Sequence, residues 1–335
     1  MKAEARRALG GARRWWIRRR PRGSGCVLCL HRVVESGRHL SALAGLRDLE
    51  ITQAQLEQLV GRLRSAGWAF VALAEIVADD ADPRSVALTF DDGYLDNLVL
   101  AAPVLEELGV PYTLFVTTGF IDRTVEPWWL LLGEMVSRLC SESVAAGSMG
   151  DTGNGDGYAG DWRDRLFEAA SRRVDPCLRH DRAGLAALLA AEVGHDPACS
   201  LDVPNQLWFM TWDQVRELAE RPLCTLGCHT VTHRSLGGLS EQEVEHEVAE
   251  SRRRLAAETG IESPWFAYPH GRDRDIPRNG AAILEGFGLQ AGFSTSSRNL
   301  RPADRATPWA LPRKSVGWNE IRSGVWLDLV AGAFE

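Results

Sequence analysis

The chain has 335 residues, a formal net charge of −7 and a hydrophobic content of 45%. This length can bury a large core, either as one domain with an insertion or as two domains. The acidic balance argues against general binding to nucleic acid, so we expect no nucleic-acid partner.

Basic residues are concentrated in the N-terminal segment 1–24, where six arginines between residues 13 and 22 stand close to Trp15 and Trp16. This segment has no continuous apolar stretch, which predicts neither a signal peptide nor a transmembrane helix. A disordered basic tail and a segment that lies on an anionic membrane surface both fit this pattern. With seven cysteines and no export signal, we expect reduced thiols and a cytoplasmic location. Peripheral membrane contact through this tail stays the alternative to a disordered tail.

The first part of the chain alternates between predicted strands and helices. In chain order these are strand Gly25–Val34, helix Thr52–Ser65, strand Trp68–Leu73, short helix Ala74–Ala78, strand Val86–Thr89, helix Asp96–Leu108 and strand Tyr112–Val116. Such alternation predicts parallel strands joined by right-handed crossovers.

The alternation stops at about 122–206, where the sequence indicates helices and no convincing strand. The predicted elements are helices Trp128–Leu139, Trp162–Arg173 and Ala183–Val193 and a flexible loop Gly147–Gly160. We expect this helical insertion to cover the active-site end of the fold, within a domain that spans 25–335. Trp128 and Trp129 either form an aromatic wall on which a ligand stacks or anchor the insertion to the core.

After residue 211 the alternation returns. In chain order we predict helix Thr211–Ala219, strand Leu223–Cys228, helix Ser240–Thr259, a strand near Tyr268, helix Ala281–Phe287, strands Ala291–Thr295 and Leu311–Val316, and a closing helix Asn319–Ala333. Roughly seven or eight strands, each usually followed by a helix, predict an α/β fold with a closed or slightly open barrel.

Two adjacent carboxylates, Asp91 and Asp92, follow the predicted strand Val86–Thr89 and precede Gly93. In α/β barrels the carboxyl ends of the strands carry the catalytic groups. Two like charges this close need different roles, and one metal ligand beside one general base is a natural division. For this segment alone, a helix-capping turn is the alternative.

Two histidines four residues apart, His229 and His233, follow the predicted strand Leu223–Cys228. Together with a carboxylate they can hold one divalent cation, most suitably Zn²⁺, with Co²⁺, Ni²⁺ or Fe²⁺ as alternatives. Three protein ligands leave positions open for water and substrate, which is typical of a catalytic metal site.

Three segments in this order resemble the motifs of the polysaccharide deacetylases, the carbohydrate esterase 4 or NodB-homology family. Thr89–Gly93 (TFDDG) matches the first motif and His229–His233 (HTVTH) the second. Phe266–Gly271 (FAYPHG) is similar to the third motif of the branch that deacetylates exopolysaccharides such as poly-N-acetylglucosamine. The resemblance extends from about Cys26 to about Val316 and implies a distorted (β/α)7-type barrel.

This resemblance implies that Asp92, His229 and His233 are the metal ligands and that Asp91 is the general base. It also places an N–H group that stabilises the reaction's oxyanion at Tyr268.

In the better-known branch of the family, the general acid is a histidine in a motif late in the chain. The matching segment here is Leu311–Arg313 (LPR), which contains no histidine. The exopolysaccharide branch instead has a histidine at the end of its first strand, and His31 matches that pattern. We therefore expect His31 to be the general acid, with His270 as the alternative. Arg313 is an accessory candidate that supports the charge of Asp91.

The implied activity is metal-dependent removal of N-acetyl groups from an acetamido sugar. The alternatives are hydrolysis of another non-peptide C–N bond and a glycan-binding barrel with a degenerate site. The presence of both aspartates and both motif histidines argues against a degenerate site. A cytoplasmic location favours a lipid-linked or nucleotide-linked precursor over a secreted polysaccharide.

Overall fold

The computed structural model describes residues 25–36, 41, 43–145, 162–174, 182–193, 208–323 and 330. The predicted basic tail 1–24, the predicted loop Gly147–Gly160 and most of the predicted closing helix lie outside the described residues. No helix within the described ranges combines the length and apolar character needed to cross a bilayer.

The strands are short, and five of the ten described are fully buried. They are β1 (Cys26–Leu30), β2 (Arg32–Val34), β3 (Glu50–Thr52), β4 (Ala69–Phe70), β5 (Ser85–Phe90), β6 (Tyr112–Val116), β7 (Cys224–Cys228), β8 (Trp265–Ala267), β9 (Ala291–Phe293) and β10 (Lys314–Ser315).

Among the described residues, seven strands form one parallel sheet in the order β10–β1–β5–β6–β7–β8–β9, and β4 also pairs with β5. Phe293 of β9 forms a parallel bridge with Leu311, while Lys314 and Ser315 pair with β1. The segment 311–315 therefore contacts both edges of the sheet. This arrangement confirms the predicted α/β barrel-type fold.

The helices pack around this sheet. They are α1 (Ala44–Arg47), α2 (Gln53–Ser65), α3 (Leu73–Val77), α4 (Ala102–Glu107), α5 (Thr118–Ile121), α6 (Trp128–Ala145), α7 (Trp162–Arg173), α8 (Arg182–Val193), α9 (Trp212–Ala219), α10 (Glu241–Thr259), α11 (Gly280–Gly286), α12 (Pro302–Arg305) and α13 (Trp318–Ser323). In the described part of 122–206, the regular elements are the helices α6, α7 and α8.

Side-chain caps explain where three of these helices begin. Thr52, Thr211 and Ser240 each accept a hydrogen bond from the backbone N–H three residues later, and the side chain there returns the bond. Such capping boxes satisfy two backbone donors at once. At the other end of α10, Gly260 takes the left-handed conformation at φ 73°.

Several predicted elements are shorter in the structure, and two differ from it in kind. The predicted strand Gly25–Val34 is interrupted at His31, and Arg32–Val34 pairs instead with β3 in a separate sheet. The cause is a tertiary contact: Asp96 accepts hydrogen bonds from the Arg32 guanidinium and from the Val33 backbone N–H, at 3.1 Å each. The predicted helix Asp96–Leu108 begins as a π-helical turn and becomes α-helical only at α4.

Candidate active site

A cavity of about 380 Å³ lies where the carboxyl ends of β1, β5 and β7 meet. It brings together six of the predicted site residues, which are His31, Asp91, Asp92, His229, His233 and His270. The remaining walls are formed by Leu49, Trp128, Trp129, Arg272, Thr295 and Ser315. Residues far apart in the sequence therefore meet at the edge of the sheet where α/β barrels carry their chemistry.

The backbone at Asp92 explains why both carboxylates reach this cavity. Successive residues of a strand point to opposite faces, so Asp91 and Asp92 would diverge if the chain stayed extended. Instead Asp92 has a φ of 76° and Gly93 a φ of 89°. Positive φ is strained for a residue with a side chain and persists where the surrounding structure enforces it. The turn keeps both carboxylates on one side.

Asp92, His229 and His233 have the geometry of a metal-binding triad. Oδ1 of Asp92 lies 3.1 Å from Nε2 of His233 and 3.5 Å from Nε2 of His229. The three ligand atoms all lie within 4.8 Å of one another and are buried. Oδ1 of Asp92 has no hydrogen-bond partner in the described part of the chain. Because buried oxygens are otherwise satisfied, this donor set fits a divalent cation.

The surroundings of His229 select the imidazole form that binds metals. Its Nδ1 donates to the carbonyl oxygen of Ala267 at 2.7 Å, which leaves the Nε2 lone pair facing Asp92. Metal-binding histidines are commonly oriented in this way. Burial lowers the pKa of His229 to about 4, against the opposing effect of the nearby aspartates. His229 is therefore neutral at pH 7.

A buried glutamate, Glu247 of α10, holds the loop that carries His233. Its Oε2 accepts hydrogen bonds from the backbone N–H groups of Val231 and Thr232, at 2.8 and 2.9 Å. Glu247 belongs to none of the motifs described above. A signal was present, because Glu247 falls on the same helix face as Val244 and Val248, where a carboxylate needs a buried partner.

Asp91 is paired with Arg313, which the sequence placed only as an accessory. Nη1 and Nη2 of Arg313 lie 2.7 Å from the two carboxylate oxygens, and the guanidinium is fully buried. Burial raises the pKa of the Asp91 carboxyl, but Arg313 and the nearby histidines lower it more. The net pKa lies well below the ordinary value, and Asp91 is ionised.

Cys29 adds a third contact to Asp91 from the neighbouring strand. Its Sγ lies 3.3 Å from Oδ2 of Asp91, and burial raises the pKa of the thiol well above its ordinary value. The neutral thiol is thus a donor to the carboxylate. No disulfide joins Cys26, Cys29, Cys224 and Cys228 to one another.

Both candidates for the general acid line the cavity. A ring nitrogen of His31 lies within 4.8 Å of a carboxylate oxygen of Asp91, and the side chain is partly exposed to the cavity. The ring of His270 stands 5.0 Å from that of His233, and its backbone has a φ of 61°. His31 is therefore beside the aspartate that is the candidate base, whereas His270 packs beside a candidate metal ligand.

The backbone at Tyr268 runs against its expected role. The Tyr268 N–H donates to the carbonyl oxygen of Phe293 at 3.0 Å, within the pairing of β8 and β9. In this arrangement it has no hydrogen to offer a substrate oxygen. The buried hydroxyl points away from the cavity toward α11, where a Cβ on Gly280 would lie 3.0 Å from it. We therefore correct the assignment of an oxyanion-stabilising amide at Tyr268.

The two tryptophans at the start of α6 lie in different environments. Trp129 is buried, its Nε1 donates to the hydroxyl of Tyr94 at 3.1 Å, and its ring stands 5.0 Å from that of His233. Trp128 is only partly buried and forms a wall of the cavity. Both tryptophans line the cavity, but Trp129 also anchors the insertion, whereas Trp128 is the more exposed of the two.

Comparison with protein families gives one match that covers more than half of the chain. The family model described as polysaccharide deacetylase matches residues 78–152 and 185–291, which include Asp91, Asp92, His229 and His233. The chain has no significant match among curated proteins.

Several solved structures share the fold. A Streptococcus pyogenes deacetylase, PplD in complex with acetate, is 15% identical with a TM-score of 0.54, over 90% of this chain and 96% of that one. IcaB from Ammonifex degensii is 19% identical with a TM-score of 0.53, over 91% and 97%. The BpsB deacetylase domain from Bordetella bronchiseptica is 17% identical with a TM-score of 0.51, over 87% and 95%.

Proposed function

Since this chain belongs to the polysaccharide deacetylase family, we propose that it removes N-acetyl groups from an acetamido sugar by metal-dependent hydrolysis. The observation that carries this proposal is the convergence of the Asp92, His229 and His233 ligand atoms beside the carboxylate of Asp91 in one cavity. A two-histidine, one-aspartate donor set next to a separate carboxylate is suited to activating water for attack on an acyl carbon.

Asp92, His229 and His233 are the residues that would hold the metal, with Zn²⁺ as the first candidate and Co²⁺, Ni²⁺ or Fe²⁺ as alternatives. A bound divalent metal supplies a water of lowered pKa and polarises the acyl oxygen. The chain contributes a preformed arrangement. Ala267 orients His229, and Glu247 fixes the loop that ends in His233.

Asp91 is the proposed general base. Its carboxylate lies 3.9 Å from Nε2 of His229 and therefore stands directly beside the proposed metal ligands. Arg313 keeps the carboxylate ionised and, through two hydrogen bonds, fixes its plane. A base must be unprotonated and aimed at the proton it accepts, and this ion pair supplies both conditions.

His31 is the proposed general acid. After the C–N bond breaks, the amine leaving group needs a proton, and a histidine beside the site can donate one near neutral pH. His31 follows β1, next to β5, which presents Asp91. His270 remains the alternative donor.

The sugar would lie in the cavity with Trp128 as an aromatic wall.

We also propose that the basic segment 1–24 makes peripheral contact with an anionic membrane, because six arginines surround two tryptophans there. Sedimentation with anionic and neutral vesicles, for the intact chain and a chain lacking 1–24, tests this contact. Equal binding of the two chains would exclude it.

Acetate release from N-acetylglucosamine oligomers tests the proposed activity. The protein is stripped of metal, assayed, and assayed again after addition of Zn²⁺ or Co²⁺, with Asp91→Asn as the control. Release that depends on the metal and is lost in Asp91→Asn supports the proposal. If the protein binds metal but releases no acetate from any acetamido sugar, the reaction proposed for this site would instead be hydrolysis of another non-peptide C–N bond.

A further inference from the structure

A second cavity, of about 810 Å³, adjoins the active-site cavity. The two share Trp128, His270 and Arg272 in their walls. We call the second cavity the arginine cleft, because four arginines line it, namely Arg172, Arg234, Arg272 and Arg274. A substrate that places its acetamido group at Asp91 can extend past Trp128 into this cleft.

The side chains that line the arginine cleft carry a net positive charge, although the chain as a whole has a net charge of −7. Only one acidic residue, Asp275, is among the described residues that line it. Its carboxylate is 5% exposed and already accepts hydrogen bonds from the Ser235 hydroxyl at 2.7 Å and the Arg272 backbone N–H at 3.2 Å. The same carboxylate lies 3.4 Å from Nε of Arg272, so it stabilises the wall and offsets the charge of one guanidinium but not of all four.

The arginines retain donors for a ligand. Arg172 pairs with Glu168 at 2.6 Å and Arg234 with Glu243 at 3.3 Å, but the first pair is largely exposed to solvent and the second partly exposed. Exposed pairs are weak, and a guanidinium offers five N–H donors, so one pairing leaves others available. Arg274 is exposed and forms no ion pair with any residue in the described ranges.

Two tightly packed turns fix the positions of Arg234 and Arg274. A Cβ on Gly237 would lie 1.9 Å from the carbonyl oxygen of Arg274, so the two turns contact each other backbone to backbone. The hydrogen bond between Ser235 and Asp275 joins them a second time. The two guanidinium groups thus project from one rigid base, and this wall is built before a ligand binds.

We propose that the arginine cleft binds a phosphate or diphosphate group that is joined to the acetamido sugar. This inference rests on the proposed deacetylase function and narrows its substrate class to phosphorylated acetamido sugars, whether nucleotide-linked or lipid-linked. Guanidinium groups match phosphate oxygens through paired hydrogen bonds. Four of them around one cavity suit a group with more than one negative charge.

A binding experiment isolates the phosphate. The full chain with Asp91→Asn, which prevents turnover, is titrated by calorimetry with N-acetylglucosamine 1-phosphate and with N-acetylglucosamine. We expect the phosphorylated sugar to bind more tightly by roughly tenfold or more, as hydrogen bonds to charged groups contribute. The titration is repeated without metal, so that contact between phosphate and metal is recognised. Equal affinities for the two sugars would overturn the proposal.

Matched arginine variants locate the binding. Arg274→Gln and Arg234→Gln should each reduce the preference for the phosphorylated sugar roughly tenfold. Arg278→Gln is the control, because Arg278 is exposed, lies in the same chain segment and does not line the cleft. A loss in Arg278→Gln as large as in Arg274→Gln would show a general charge effect and overturn the assignment to the cleft.

Turnover separates failure of this inference from failure of the proposed function. With zinc present, acetate release is measured from neutral N-acetylglucosamine oligomers, from UDP-N-acetylglucosamine, and from the same sugar on a polyprenyl diphosphate in phosphatidylcholine vesicles. Faster release from either diphosphate substrate supports the cleft and identifies the source. Release from the neutral oligomers alone rejects the cleft and keeps the deacetylase. No release from any of the three rejects the proposed function.

Discussion

Arg313 and Asp91 form a buried bidentate ion pair, with both nitrogen–oxygen distances at 2.7 Å. Arg313 comes from the chain just before β10 and Asp91 from the end of β5, so β1 lies between the strands that carry the two residues. The guanidinium also donates to Thr89 Oγ1 and stands 5.2 Å from the centre of the Phe115 ring. Arg313 therefore links the interior of the barrel to its catalytic edge.

Replacing Arg313 by methionine should shift the pH dependence of catalysis. Without the cation, burial is unopposed by Arg313 and raises the pKa of Asp91, so the base is protonated over a wider acidic range. The acid limb of kcat/KM for acetate release should move to higher pH, with Arg313→Lys intermediate because it keeps the charge but not the fork. A uniform loss of activity with an unmoved limb would mean that Arg313 is only structural.

Breaking the ion pair between Arg313 and Asp91 should lower the free energy of unfolding. Removal of one partner leaves a buried charge uncompensated, so Arg313→Met should cost about 3–5 kcal/mol of unfolding free energy. The double variant Asp91→Asn, Arg313→Met should be more stable than the sum of the single changes predicts. Urea unfolding of the four proteins measures this coupling, and strict additivity would contradict it.

Zinc should stabilise the folded protein. A ligand that binds only the folded state at a concentration 100 times its Kd adds about 2.7 kcal/mol. His233→Ala should lose this gain, because it removes one of three ligands. His246→Ala is the matched control, since His246 is exposed on α10 away from the cavity. Thermal unfolding with and without Zn²⁺ is the measurement, and an equal gain in His233→Ala would refute the assigned triad.

His31 and His270 can be distinguished by the leaving group. His31→Gln should lower acetate release from an acetamido sugar by ~10²–10⁴-fold, the usual contribution of general acid catalysis. Hydrolysis of 4-nitrophenyl acetate should fall far less, because nitrophenolate departs without a proton. His270→Gln should affect the two substrates alike. The opposite pattern would assign the acid to His270.

Gly119 should be required for the position of the loop that carries His233. A Cβ there would lie 2.4 Å from the Val231 carbonyl oxygen and 2.8 Å from Cγ2 of Val125. Gly119→Ala should cost about 1–3 kcal/mol through overpacking and weaken zinc binding. Gly61 is the control: it lies inside α2 with no atom within 4 Å of its Cβ position. Gly61→Ala should stabilise the protein by about 1 kcal/mol, as chemical denaturation can show.

The metal-free protein should lose stability as the pH falls from about 6.5 to about 4. The folded pKa of His229 is lowered to about 4, whereas an unfolded histidine titrates near about 6.5. Between these values the unfolded state binds more protons, so the free energy of unfolding rises with pH and declines on acidification. Urea unfolding at pH 7 and pH 5 measures the loss. It should shrink in His229→Gln, and an unchanged slope in that variant would exclude His229 as its source.

Much of the fold and of the candidate site could be predicted from the sequence alone. The strand that ends in Asp91 and Asp92 and the spacing of His229 and His233 are local patterns, and so is the alternation of strands with helices. Parallel strands must align their carboxyl ends, so a residue's place at the end of its strand largely decides its place in the barrel. The carboxylates and histidines were therefore expected to meet.

Other features depended on contacts between distant segments, which no local pattern encodes. Arg313 and Asp91 are in contact although 222 positions separate them in the sequence. The break at His31 arises because Asp96 draws the following strand into another sheet. The Tyr268 amide is occupied by Phe293, a pairing that only the strand register decides. The arginine cleft unites α7 with two turns that are brought together by close backbone packing at Gly237. The sequence by itself thus determined which chemical groups stand at the strand ends, whereas the tertiary structure decided which charges compensate one another and where a substrate can extend.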